Sequence, residues 1–271
     1  MDHLRKTIKP LIASGAALPF SVYSSVYEQK LKNVPVAKPV LIVVLSGKKE
    51  LSDGETIKCQ VGDFIFLSDS HALNMRNIPE DNEYSALLIE FEYEAFADLP
   101  VGSGHKPNFL VGDVGEELLR CLQQFVESAA WAPESLWSLR KKEILMLLYH
   151  LGHQEVVAMM GKPKVSHHIY DLVVASSFQE VTTATICDQL AMSESTLRRK
   201  LKAEGTSVQE IKDRARLGYG LHLLQTTEDT ISLIAEQCGY GSQSRFTERF
   251  KSRFGLTPTQ LRNTKEPIKS S

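Results

Sequence analysis

Two stretches of the chain carry side chains whose types and spacing suit one task, holding an anionic polymer. In the first, Ser195, Arg198, Arg199 and Lys202 fall on one side of a helical wheel whose other side is Leu197 and Leu201. In the second, Ser244, Arg245, Glu248 and Lys251 lie opposite Phe246, Phe250 and Phe254, with Gln243 just before them. Guanidinium and ammonium groups set out in this way meet phosphate oxygens and the edges of bases. A basic face on a lone helix is more often merely solvated. A second copy behind its own turn moves the balance toward function.

Catalysis finds no comparable arrangement. Between Phe20 and Glu92, where the ligands of a barrel metalloenzyme would sit, there is one histidine, His71, and no His-x-His pair. A catalytic metal needs about three protein ligands, so His71 reads as a strand-edge or packing residue. His150 and His153 share a helix face, but no third ligand has helical spacing to them, which makes them a solvated or interface pair. His167 and His168 follow near the domain boundary. Cys59, Cys121, Cys187 and Cys238 contain no C-x-x-C pair and read as small buried hydrophobes. No catalytic residue, metal or cofactor is expected. A cupin-type metalloenzyme with an appended binding module remains the competing reading, which metal analysis of the purified protein would decide.

The elements that position the basic residues are written as a repeat. Ile186 to Lys202 aligns with Ile234 to Lys251 once Gly241 is allowed as an insertion. Each copy reads as a short helix, a tight turn (Ala191-Met192 or Gly239-Tyr240-Gly241), a capping serine (Ser193 or Ser242) and a second, basic helix. That unit is a helix-turn-helix, whose second helix enters the DNA major groove. Between the copies, Ser207 to Gln225 reads as one helix, about 28 Å long at about 1.5 Å per residue. Adjacent major-groove faces are about 34 Å apart, so such a strut can set two recognition helices into them. Gly218 and Gly220 weaken the strut by up to about 1 kcal/mol each and are read as sites of close helix packing.

The amino-terminal half reads as β. Phe20 to Tyr27, Val40 to Ser46, Glu55 to Cys59, Phe64 to Ser68 and Tyr84 to Glu92 are short β-branched or aromatic runs. Turn residues separate them, as expected of an antiparallel sandwich or small barrel. Beyond Gly104 the period becomes helical, first through Leu118, Leu122 and Phe125, then through Leu136, Leu147 and Leu151. These two stripes are candidates for holding two protomers together or for covering their own barrel. Gly161-Lys162-Pro163-Lys164 marks a boundary.

At this point the sequence resembles a known family. The stretch Ile234-Ala-x-x-Cys-Gly-Tyr-x-Ser-x-Ser-x-Phe-x-x-x-Phe-Lys-x-x-x-Gly-Leu-Thr-Pro-x-x-Leu-Arg262 is similar to the signature of AraC/XylS-type transcription regulators. Arg216-Leu217 with Leu223-Leu224 resembles their linker helix. The resemblance implies a cupin-like sensor and dimerisation region in the amino-terminal half, RNA polymerase as a partner, and activation as the commoner mode. It also implies base or backbone contacts from Ser195, Arg198 and Arg199, and from Gln243, Ser244, Arg245 and Glu248. Glu248 stands where the family usually has arginine, and Arg245 where it usually has an aromatic residue. Glu248 then either accepts from a cytosine amino group or holds Arg245 at i, i+3. Some virulence regulators of the family hold a fatty-acid carboxylate with lysines from both the barrel and the linker helix. The corresponding region here offers Lys30, Lys32 and Lys38, but Gln225 on the linker side. The effector is accordingly a fatty acid or a sugar-like metabolite, with a regulator that lacks a small-molecule effector as the other possibility.

Composition agrees with a folded chain of about two domains. It has 271 residues, 42% hydrophobic and 24% charged. The net charge of −2 divides into about +2 from Ser166 onward and about −4 before it. No apolar run approaches the roughly 20 residues of a membrane helix, and Pro10 is reached without an apolar h-region, so a cytoplasmic location is expected. The expected fold is α+β. A cupin-like sensor and dimerisation domain spans residues 1–160, with its barrel at about 20–92 and helices at about 113–160. A linker at 161–165 leads to an all-α tandem helix-turn-helix domain at 166–271. The expected partners are double-stranded promoter DNA, RNA polymerase, an effector and a second copy of the chain, with no membrane.

Overall fold

The computed structural model describes residues 1–53, 55–68, 73–100, 107–160 and 164–265. His71 and most of the 161–165 linker lie outside the described residues. The amino-terminal half begins with α1 (Asp2–Ala13). It continues through β1 (Ser21–Ser25), β2 (Gln29–Val34), β3 (Val40–Ser46), β4 (Lys48–Asp53), β5 (Glu55–Cys59), β6 (Asp63–Leu67), β7 (Leu73–Ile78), β8 (Tyr84–Glu90) and β9 (Phe109–Asp113). The strands pair antiparallel in two sheets, ordered β1-β8-β3-β6-β9 and β2-β7-β4-β5. Expected strands are found in each of the five apolar runs.

The first sheet is buried on both faces, which explains its continuous apolar sequences. In β3, Leu41, Val43 and Leu45 face one core, while Val40, Ile42 and Val44 face another. Phe64 and Phe66 of β6 join the first set, and Ile65 and Leu67 the second. Register fixes this division: Ile42 lies opposite Ile65 on one side and Leu88 on the other.

The outer face is covered by α1, α2 (Glu116–Ser128) and α3 (Trp137–His150). Leu118, Leu122 and Phe125 are buried there, against the chain's own sheet, so that stripe is unavailable to a second protomer. It serves the intramolecular role. Leu136 and Leu151 of the other stripe are 39% exposed.

The inner face of the first sheet and the second sheet enclose the barrel interior. β2, β4, β7 and β9 are absent from the sequence reading: polar residues outnumber apolar ones in β2 and β4 and equal them in β7, and β9 pairs with β6 from beyond the expected barrel at about 20–92. Burial alternates in the first three, as in β7, where Leu73, Met75 and Asn77 point in and Asn74 and Arg76 point out.

α4 (Glu155–Ala158) completes the amino-terminal half, with Val156 and Val157 in the core beneath α2 and α3, and the carboxy-terminal half is helical: α5 (Val165–Ala175), α6 (Thr183–Gln189), α7 (Glu194–Ala203), α8 (Val208–Thr226), α9 (Ile231–Gln237), α10 (Gln243–Phe254) and α11 (Pro258–Arg262). The first motif has its own core, Ile186, Leu197, Leu201, Ile211 and Ala215 with Ile169 and Val173 of α5. The second does not. Leu224, Ile234, Phe246, Phe250 and Phe254 are continuous with Leu31, Val34 and Val36 of the barrel.

Candidate functional site

The two motifs share one local construction. In the first, Ala191 takes a left-handed φ of 48° and Met192 N–H donates to Cys187 O at 3.0 Å. In the second, Gly239 takes φ 73° and Tyr240 N–H donates to Ala235 O at 2.9 Å. The two turns differ in the space around them. A Cβ on Gly239 would lie 2.4 Å from Phe178 O, so this turn requires glycine, and only the first accepts alanine.

Ser193 and Ser242 then accept from Thr196 N–H and Arg245 N–H, both at 3.3 Å, starting α7 and α10. Thr182 and Thr230 cap α6 and α9 in the same manner, a repeat of the S/T cap signal that sequence reading missed. α8 runs 19 residues from its cap Ser207 and joins the two motifs. At Gly220 an added Cβ would come within 2.8 Å of the Phe246 ring, whereas at Gly218 the nearest atom, Pro35 Cγ, is 3.4 Å away. Gly220 is thus the packing glycine.

Every side chain expected at the DNA interface is exposed: Ser195, Arg198, Arg199 and Lys202 on α7, and Gln243, Ser244, Arg245, Glu248 and Lys251 on α10. Arg198 pairs with Glu194 at 2.8 Å, and Ser195 Oγ lies 3.0 Å from Ser193 Oγ. Arg199, Lys202, Arg245, Glu248 and Lys251 make no side-chain hydrogen bond or ion pair among the described residues, which leaves their groups free for an external partner. Glu248 therefore does not hold Arg245 in place. Arg249 and Arg253 are paired within the chain instead, the first with Asp213, the second with Glu210 at 3.0 Å and the Asn33 carbonyl at 3.2 Å.

Beside α8, between the barrel and the helices, lies a cavity of about 750 Å³. Leu31, Ile42, Leu67, Met75 and Tyr84 line it from the barrel, and Tyr170, Phe178, Tyr219 and His222 from the helices. Of the three lysines expected there, only Lys38 reaches it, and its ammonium is held by Glu92 at 2.7 Å. Lys30 is exposed beside Glu28, and Lys32 runs along Gly255 on the outside; neither belongs to the cavity wall. In β2 these two positions take the outward side of the strand's alternation.

The lysine of the interior is Lys49, 4% exposed, whose sharing of a strand face with Leu51 is the sequence signal for it. Burial pushes its ammonium down to about 8 and pushes the Cys59 thiol up to about 11. Tyr23 Oη lies 3.3 Å from His222 Nδ1, and burial lowers the pKa of that imidazole, opposed by Glu90.

His153 and His167 are packing groups, while His150 and His168 are exposed. His153 meets the Phe64 ring edge-on at 5.0 Å, and His167 stacks on Tyr93 at 4.3 Å. Among the described residues no three His, Cys, Asp or Glu side chains gather as a metal site. No helix among them is long and apolar enough to cross a membrane.

Residues 186–264 match the family of the helix-turn-helix domain. The regulator AdiY of Escherichia coli K12, named as an HTH-type transcriptional regulator, is 32% identical over 94 residues, 35% of this chain and 37% of its own length. YdeO of the same strain, named likewise, is 42% identical over 76 residues, 28% of this chain and 30% of its own. The chain thus spans about a third of the curated relatives it matches. Over nearly the whole chain the fold is that of ToxT from Vibrio cholerae, solved with an unsaturated fatty acid bound. The TM-score is 0.67 at 17% identity, covering 93% of this chain and 98% of that one.

Proposed function

We propose that this chain, which carries a helix-turn-helix domain of the AraC type, is a cytoplasmic, sequence-specific, double-stranded DNA-binding transcription regulator. The observation that carries the reading is the pair of serine-capped second helices, each presenting unpaired cationic side chains to solvent, in two motifs joined by one strut. α7 and α10 enter adjacent major-groove segments of one duplex. Ser195, Arg199 and Lys202 contact it from the first motif, and Gln243, Ser244, Arg245, Glu248 and Lys251 from the second.

Footprinting of purified protein tests this. Two protected segments about one helical turn apart are expected, and a single protected half-turn would show that the motifs are not used together. Arg199→Ala should cost about 1–3 kcal/mol and relax specificity at one base position. An equal loss on all sequences would assign Arg199 to phosphate.

The cavity is the effector site of this reading. Its size falls within the range of roughly 300–1,000 Å³ typical of small-molecule pockets, and its walls come from both halves of the chain, so occupancy can act on the DNA-binding half. The ligand class is an apolar carboxylate, a choice favoured over a sugar by the aliphatic lining. Activation through RNA polymerase and assembly with a second copy complete the proposal. The absence of any ligand-dependent change in melting would instead favour a regulator governed by its amount or by a protein partner.

A further inference from the structure

The two recognition helices are held at their ends by different halves of the chain. α7 is tied within its own half: Glu204, which follows it, accepts through its carboxylate from Val165 and Ser166 N–H of α5 at 2.9 and 3.0 Å. Among the described residues no barrel side chain joins the first motif's core. α10 is tied to the barrel. β2 carries a bulge between Leu31 and Val34, where Lys32 and Asn33 are exposed in succession and Asn33 takes a left-handed φ of 49°. Asparagine adopts that backbone more readily than most residues with a Cβ. The extra residue keeps Val34 in the core and aims Asn33 at the end of α10.

Asn33 and Arg253 exchange hydrogen bonds. Asn33 Nδ2 donates to Arg253 O at 3.3 Å, and Arg253 Nε donates to Asn33 O at 3.2 Å. Arg253 O is among the last four carbonyls of α10, which lack a partner within the helix, so a barrel side chain supplies the donor. The same guanidinium reaches Glu210 of α8 at 3.0 Å, and Arg253 thereby joins the strut, the second recognition helix and the barrel. Asn33 N–H donates to Asn74 Oδ1 of β7 at 3.2 Å, which ties the bulge to its own sheet. Beside it, the Lys32 stem lies 3.3 Å from the Cβ position of Gly255, the residue of φ 81° that ends α10. Phe250 and Phe254 share one core with Leu31 and Val34.

We propose that Asn33 is a positioning residue for DNA reading: through Arg253 it fixes the angle at which α10 is presented, so that the barrel sets the base preference of the second motif and not that of the first. This rests on the DNA-binding reading of α7 and α10 and adds a determinant that lies in neither. Arg253 is 13% exposed with its guanidinium held on two sides, so it acts through the helix rather than on the duplex. Gln243, Ser244 and Arg245 stand at the opposite end of α10, about 15 Å from Arg253 at about 1.5 Å per residue. A tilt of about 5° at the anchored end displaces them by about 1 Å, which separates a good hydrogen bond from a lost one.

The test is competition binding by the full chain on a duplex that wild type selects from a random-sequence pool, with each base pair then changed in turn. Arg245→Ala marks which segment of that duplex lies under α10. Asn33→Gly accepts the left-handed backbone and removes the side-chain donor, while Arg253→Gln removes the guanidinium and leaves the bulge. Each should lose about threefold or more of the base discrimination under α10, with discrimination under α7 unchanged. The double variant should be no worse than the poorer single one, because both act through one link. Arg253→Gln decides alone if Asn33→Gly fails to fold. Unchanged preference, a loss spread evenly over both segments, or additive effects overturn the proposal and leave the DNA-binding reading intact. A wild type that selects no sequence removes that reading and the proposal together.

Discussion

Glu248 is the side chain on α10 whose sign opposes its surroundings. It is exposed, pairs with nothing among the described residues, and sits one turn from the equally unpaired Arg245 and Lys251. A carboxylate facing a groove repels phosphate unless it accepts from a cytosine amino group. Glu248→Gln is expected to shift base preference at one position with little change in affinity, measured by competition among variant duplexes. A rise in affinity on every sequence, with a steeper salt dependence, would assign it to backbone repulsion instead.

Lys49 makes a second prediction at this scale, on stability. Its pKa is about 8 in the folded chain against 10.5 for the ordinary group. Between these values the unfolded chain holds a proton that the folded chain does not, so stability rises with pH across the window and the gain is absent below it. At about 1.4 kcal/mol per pKa unit, the full gain is about 3 kcal/mol. Denaturant melts of wild type and Lys49→Met from pH 7 to 10 should converge as pH rises, with wild type gaining on the variant. Cys59, whose pKa is raised by burial, pulls the other way above pH 9, and since Lys49 itself lowers the Cys59 pKa, the comparison isolates Lys49 below pH 9. Parallel curves would place the ammonium in contact with water.

Among the elements, the turns decide whether a motif can present its second helix at all. Gly239 combines φ 73° with a Cβ position 2.4 Å from Phe178 O, and the same carbonyl accepts from Arg216 Nη2 at 3.0 Å. Gly241, two residues on, has nothing within 4 Å of its Cβ position and no positive φ. Gly239→Ala should therefore lower stability by about 1–3 kcal/mol, whereas Gly241→Ala should change it little, as thermal melts of the two variants would show. Equal effects would mean that the turn relaxes.

The repeat, both serine caps and the strut were legible because helix signals are local: a cap, a 3.6-residue period and a turn residue lie within one short stretch. The β2, β4 and β7 strands were not. Gln29, Lys49 and Asn77 occupy inward positions that a hydrophobic pattern assigns to aliphatic residues, and only their partners across the sheet explain their burial. α1 was also missed, since Leu4 and Ile8 give it just one pair of buried contacts and Pro10 lies inside it.

For the whole molecule, the remaining question is what a second copy would hold. The sequence offered two stripes, and the fold divides them by burial: Leu118, Leu122 and Phe125 lie within 2% of full burial against the first sheet, where they contribute to the chain's own stability. α3 has apolar residues on two faces. Ile144, Leu145 and Leu148 pack inward, while Leu139 and Met146, seven residues apart, are 63% and 44% exposed, with Leu136 and Trp131 exposed nearby. Residues seven apart share a helix face, and a two-fold axis across such a face pairs it with itself without any further complementary surface. The strut fixes the spacing of two motifs within one chain, so pairing through α3 would add a second pair on a repeated site and strengthen binding by linkage rather than by new contacts. Light scattering should give a dimer for wild type at tens of micromolar, an order-of-magnitude bound for a functional homodimer. Leu139→Arg should yield a folded monomer that still binds a single site, while Leu122→Arg should lose the fold itself, as circular dichroism would report. A wild type that remains monomeric at that concentration, or a Leu139→Arg variant that remains dimeric, would remove α3 as the pairing surface.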